Sequence, residues 1–287
     1  MSTDTTHVIE RLSTRVRVRG EGAPLLLIGG LWSQLPMWDD VLPHLHGFRT
    51  IAFDPPGIGG TDLPQCPYSV RGLARFATRV LDQVGVQRAH VMGVSLGGAV
   101  AQQLARSFPD RVDRLVLAST GPGALSVPGR PGVLMRFARP QGYADLHELE
   151  RDAGHIFGGR LREQPDLVRS WPLRPPADLR AWVYRLAGTA AWSSLPWLHQ
   201  LRQPTLVIHG DDDPIVPVVN ARLVARLIPD SRLRVVSGAG HLMVLDSTTD
   251  VLPTITAFLN HHANDSTSRP NPEPDPRTNP PKSKDPA

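Results

Sequence analysis

Short, largely apolar runs recur along this chain at residues 25–28, 50–53, 90–94, 115–118, 205–208 and 233–236. Runs of this length suit parallel strands buried on both faces. Residues 15–19, Arg-Val-Arg-Val-Arg, alternate with period two, as a strand with one wet face does. Between these runs the period lengthens. Residues 70–84 place Leu73, Ala77, Val80, Leu81 and Val84 on one helical face. Residues 97–108 and 219–227 also predict helices, stopped by Pro109 and Pro229, and residues 251–258 predict the last one. Strands alternating with helices predict an α/β fold with a doubly wound, mostly parallel sheet.

The alternation fails between residues 121 and 203. That stretch is rich in proline and holds four of the six Trp, namely Trp171, Trp182, Trp192 and Trp197. It follows the strand ending near Ser119, and sheet enzymes place their pockets outside the carboxyl ends of strands. A helical cap over a pocket is therefore expected at 121–203, inserted between core segments 1–120 and 204–262. From residue 263 prolines alternate with polar residues and no large apolar residue remains. Such a segment cannot bury enough surface to offset its ordering entropy, so 263–287 is expected to be a disordered tail.

At 287 residues and 40% hydrophobic content, one well-buried catalytic core is possible. The net charge is +4, but the Arg residues that carry it are scattered, and Lys occurs only at Lys282 and Lys284. A nucleic-acid footprint would be a cluster or stripe, so no nucleic-acid partner is expected. The single Cys66 lies in a turn-like Pro-Gln-Cys-Pro stretch with no basic neighbour and no disulfide partner. Residues 1–10 lack the apolar core of a signal peptide, and no apolar run reaches membrane-spanning length. A cytoplasmic location is expected.

Gly93-Val94-Ser95-Leu96-Gly97 fits G-x-S-x-G, with an apolar strand leading in and a helix-forming run leading out. That is the strand–turn–helix setting in which a serine nucleophile is presented on a tight turn. A serine hydroxyl is a weak nucleophile until a base takes its proton. His241 stands last in the chain, in a Ser-Gly-Ala-Gly-His loop after a strand, and is the expected base; His209, within a strand, is a closer rival than the other His. The acid must come from Asp211, Asp212 and Asp213, because Ser119 and Thr120 occupy the alternative place before the insertion. Asp213, third after Gly210 and before Pro214, is favoured over Asp211 for orienting the imidazole, leaving the other two as turn formers. The oxyanion donors are expected to be the backbone N–H of Leu96 and that of Leu31, in the loop Gly29-Gly30-Leu31-Trp32. Residues 54–60, though Gly-rich, lack the following helix a phosphate site requires. With no metal-ligand spacing either, no cofactor or metal is expected.

Together, Asp54-Pro-Pro-Gly-Ile-Gly-Gly60, the serine motif, Gly210-Asp-Asp-Asp-Pro214 and Gly240-His241 resemble the α/β-hydrolase superfamily over residues 8–260. Residues 93–103, 127–131, 156–159 and 197–205 are similar to intracellular polyhydroxyalkanoate depolymerases acting on medium-chain polyesters. Leu96 departs from the aromatic residue expected in that family after the nucleophile, and Gly29 from a polar one in the oxyanion loop. The resemblance implies Ser95, Asp213 and His241 as triad, and a cytoplasmic enzyme cleaving aliphatic polyester or oligoester at storage-granule surfaces. Within the fold, a small-ester or lactone hydrolase or a cofactor-free perhydrolase is the alternative. A noncatalytic ligand-binding member is a third reading, opposed by the complete Ser95, Asp213 and His241 set.

Overall fold

The computed structural model describes residues 4–31, 33–137, 145–171, 173 and 178–261. The expected tail at 263–287 lies outside the described residues. Among them, eight strands form one sheet: β1 (Asp4–Ile9), β2 (Leu12–Arg19), β3 (Ala23–Ile28), β4 (Phe48–Phe53), β5 (Ala89–Val94), β6 (Val112–Ala118), β7 (Thr205–Gly210) and β8 (Ser231–Val236). Their spatial order is β1-β2-β4-β3-β5-β6-β7-β8. Only β2 runs against its neighbours, β1 and β4; the other pairs are parallel. The helices are α1 (Val70–Gln83), α2 (Leu96–Ser107), α3 (Pro131–Phe137), α4 (Leu146–Phe157), α5 (Leu179–Thr189), α6 (Val218–Leu227), α7 (Met243–Asp246) and α8 (Thr248–Asn260). No helix among the described residues is long and apolar enough to cross a membrane.

Alternate residues of each central strand feed opposite layers, because successive side chains leave a strand on opposite faces. Leu26, Ile28, Val91, Leu115 and Leu117 pack with α1, α2 and α6. Leu25, Leu27, Met92, Val116 and Ile208 pack with the 35–48 segment, α7 and α8. In α1, Leu73, Ala77, Val80 and Leu81 of the predicted stripe are buried, Val84 just past its end is half-buried, and Ser69 caps the helix by accepting the Gly72 N–H at 3.1 Å.

Two strands differ from the sequence reading. β1 has no apolar run and pairs residue for residue with β2, which supplies the ladder its composition does not announce. The run at 233–236 was expected to be buried on both faces. It belongs to β8, the sheet edge, where Arg232, Leu233 and Arg234 are exposed. Between β6 and β7 the chain carries α3, α4 and α5. Val133, Leu149, Ile156, Leu161 and Trp171 gather there into a separate apolar cluster that includes Met37 and Leu242 of the flanking core.

Candidate active site

β5 runs directly into α2 through one residue, Ser95, held at φ 55° and ψ −120°. Such a conformation costs about 1–3 kcal/mol in a residue with a side chain and survives only where its surroundings enforce it. Here the Ser95 N–H donates to the Ala118 carbonyl at 2.9 Å, and the Thr120 hydroxyl donates to the Ser95 carbonyl at 2.7 Å. The motif glycines have a steric cause. A Cβ at Gly97 would lie 2.0 Å from the Ile28 carbonyl oxygen, and one at Gly93 2.3 Å from that of Gly97. Both clashes are with backbone, so Gly97→Ala is expected to cost more than about 3 kcal/mol. A circular-dichroism melt should show a Tm lowered by roughly 10 °C. A Tm within two or three degrees of wild type would mean that the turn accommodates a side chain.

The structure brings the three expected residues together across the carboxyl ends of the strands. The Ser95 hydroxyl donates to His241 Nε2 at 3.0 Å, and His241 Nδ1–H donates to Asp213 Oδ2 at 2.7 Å. His241 is 5% and Asp213 6% exposed. Burial alone would raise the Asp213 pKa. The charge of His241 and hydrogen bonds from His209 and His241 outweigh it, holding the carboxyl well below its usual range. The other carboxylate oxygen accepts the N–H groups of Ile215 and Val216, each at 2.9 Å. An ionised Asp213 can only accept, so it selects the Nδ1–H tautomer and leaves Nε2 free to take the serine proton.

His209, the rival base, does not reach Ser95. Its Nε2 lies 2.7 Å from the Val216 carbonyl and 3.3 Å from Asp213 Oδ2, fully buried behind the acid. Asp211 and Asp212 are more than turn formers. Asp211 accepts the Gly238 N–H at 2.6 Å, bracing the loop that carries His241. Asp212 takes the Arg162 guanidinium in a two-pronged pair, with Nη2 at 2.8 Å, and the Gly159 N–H at 2.8 Å. Arg162 holds the Asp212 carboxyl below its ordinary pKa. The His241 N–H donates to the Phe157 carbonyl at 2.7 Å. Cβ atoms at Gly158 and Gly240 would lie 2.0 Å from the Asp212 and 2.3 Å from the Phe157 carbonyl oxygens. Residues 157–159, between β6 and β7, and the histidine loop therefore meet backbone to backbone.

Leu31 and Leu96 both border the serine, and no acceptor among the described residues takes either N–H. The loop at 54–60 folds around a buried carboxylate: Asp54 accepts the N–H groups of Leu35 and Gly60 at 2.7 and 2.9 Å. Burial raises the Asp54 pKa even so.

Ser95 stands between two cavities. One, of about 60 Å³, is walled by Met37, Trp38, Phe157, Leu173, Val244 and Leu245. The other, of about 390 Å³, is more open and is bordered by Leu96, Thr120, Val127, Leu134, Trp192 and Asn220. Two of the four Trp between residues 121 and 203 are Trp192 and Trp197. They stack edge to face at 5.9 Å against the core beside α2, and the Trp192 indole N–H donates to Gln103 Oε1 at 2.8 Å. Trp192 still borders the larger cavity, whereas Trp197 borders neither.

Known proteins share this architecture. A poly(3-hydroxyalkanoate) depolymerase of Ectopseudomonas oleovorans is 38% identical over 254 residues, covering 87% of this chain and 88% of that protein. A 2-hydroxymuconate semialdehyde hydrolase of Pseudomonas sp. is 30% identical, covering 86% of this chain and 90% of that protein. The crystal structure of an enol-lactonase from Burkholderia xenovorans superposes with a TM-score of 0.77 at 23% identity, over 89% of this chain and 99% of that one, a likeness of fold. A family model described as the alpha/beta hydrolase fold matches residues 23–248. With its sheet order, serine turn and matched span agreeing, the chain belongs to the α/β-hydrolase family.

Proposed function

We propose that this hydrolase cleaves aliphatic carboxylic esters through an acyl-enzyme, and that its substrate is a poly(3-hydroxyalkanoate) or its oligomers at a granule surface. The observation that carries the reading is the hydrogen-bonded series Ser95–His241–Asp213 at the mouth of an apolar cavity. In it, His241 takes the proton as Ser95 Oγ attacks the ester carbonyl, and Asp213 stabilises the imidazolium that forms. The N–H groups of Leu31 and Leu96 receive the negative oxygen. His241 then returns the proton to the departing alkoxide, and a water activated by the same imidazole hydrolyses the acyl-enzyme. The likeness to a poly(3-hydroxyalkanoate) depolymerase supports the substrate class. So do Leu125, Val127, Leu134 and Met135 of the insert, exposed beside or near the larger cavity, where a hydrophobic polymer can lie.

Each methylene buried in the narrow cavity contributes about 0.8 kcal/mol, close to fourfold in kcat/KM. Activity on p-nitrophenyl esters is therefore expected to rise from acetate towards octanoate, and medium-chain polyester granules should release hydroxyacids. Val244→Phe, which fills the narrow cavity, should flatten the rise while sparing acetate, with Tm followed in parallel. A profile peaking at acetate with no release from granules would assign the enzyme to small esters or lactones instead.

A further inference from the structure

Arg185, on α5 of the insert, is 6% exposed and faces no carboxylate among the described residues. Its Nη2 donates to the carbonyl oxygens of Gly30 and Leu31, each at 3.2 Å. Among the described residues, Nε and Nη1 are buried with no hydrogen-bond partner. Burial pushes the guanidinium pKa down to about 10, which leaves it charged at neutral pH. A buried cation without a counter-charge destabilises a fold, and well-packed apolar side chains replace buried ions with little or no loss. Packing therefore gives no reason for an arginine here, and its two acceptors do.

The Gly30 carbonyl belongs to the same peptide unit as the Leu31 N–H. That unit is planar and trans, so fixing the oxygen in one direction fixes the N–H in the opposite one. A side chain at this position beside the nucleophile would be tight, because a Cβ on Gly30 would approach the Ser95 Cβ to 3.3 Å. Glycine, however, leaves the backbone free to rotate. The Ser33 N–H also reaches the Gly30 oxygen, but at 3.4 Å. A charged donor on the oxygen is the stronger restraint, and it polarises the peptide so that the N–H donates more strongly.

We propose that Arg185 is a positioning residue: by holding the Gly30 carbonyl it turns the Leu31 N–H towards Ser95, so that seating the insert on the core completes the oxyanion hole. The proposal rests on the serine-hydrolase reading above. It makes the hole a property of the assembled enzyme, with α5 supplying the piece the Gly29-Gly30 turn lacks.

The test compares wild type, Arg185→Met and Arg185→Lys in the full chain. A fluorophosphonate, whose phosphoryl oxygen needs the same donors, is used to label Ser95, and the adduct is located by peptide mass spectrometry. Removing one oxyanion donor outright costs roughly 10²–10³ in kcat. Misaiming one while Leu96 stays in place should cost roughly ten- to a hundredfold. Arg185→Met is therefore expected to lose that factor in kcat on p-nitrophenyl butyrate and in labelling rate together. KM should change less than about threefold, and Tm should hold or rise as the buried cation is removed. Arg185→Lys, which keeps the charge and one donor, should recover part of both rates, and it carries the test if the methionine variant does not fold. Labelling of either folded variant at the wild-type rate would overturn the proposal while leaving Ser95 as nucleophile. So would a loss of activity that follows a lowered Tm and vanishes when rates are expressed per folded molecule. A wild-type enzyme whose Ser95 stays unlabelled would overturn the nucleophile assignment and the proposal together.

Discussion

Ser95→Ala is expected to lower kcat on a simple aryl ester by roughly four to six powers of ten. The size of the loss comes from the way nucleophile and base act as one unit: His241 at 3.0 Å has no proton to take once the hydroxyl is gone. What survives is the contribution of the oxyanion donors and of substrate binding, roughly 10³–10⁴ over water. The fold should be untouched, because the two bonds that hold the turn, to Ala118 and from Thr120, use the Ser95 backbone. Alanine retains the strain of a positive φ, so Tm should stay near wild type. A folded alanine variant with more than a hundredth of the wild-type rate would remove Ser95 from the role of nucleophile.

The second large effect separates adjacent carboxylates. Asp213→Asn should lower kcat by about 10⁴, because an amide can turn an N–H towards His241 Nδ1 and so select the wrong tautomer. It also replaces the carboxylate that meets two buried imidazoles, His241 at 2.7 Å and His209 at 3.3 Å. Asp211→Asn keeps an acceptor oxygen for the Gly238 N–H and should stay within a few-fold of wild type. Both variants are to be measured on one substrate, with circular dichroism to compare folding. Equal losses, or the larger loss at position 211, would show that the acid has been assigned to the wrong neighbour.

How far the sequence spoke for this structure depended on whether a residue's role was local. The central strands were legible because Leu25 to Ile28 and Leu115 to Ala118 are buried on both faces, which demands an unbroken apolar run. β1 was not, because an edge strand is defined by its partner's ladder more than by its own burial. Ser95 was legible because the Gly93 and Gly97 clashes are made within a few residues or with the adjoining strand. Asp212 and Arg162, fifty positions apart in the chain, carry no such local mark. Neither does Arg185, whose acceptors lie 154 and 155 positions away. The places of Trp192 and Trp197 were not legible either: aromatic content says that something is packed, not against which surface.

The close contact of Gly158 and Gly159 with Asp212 and Gly240 bears on how this enzyme can be re-engineered. A chimera that takes residues 121–203 from another hydrolase imports one side of a joint whose other side stays behind. Any foreign side chain there would meet the Asp212 carbonyl at 2.0 Å or the Gly240 nitrogen at 2.4 Å and push the imidazole off its serine. Crossover points for gene shuffling are therefore better chosen so that residues 156–159 and 238–241 are inherited from one parent. Libraries that randomise the insert should hold those two glycines fixed and spend their diversity on the cavity wall.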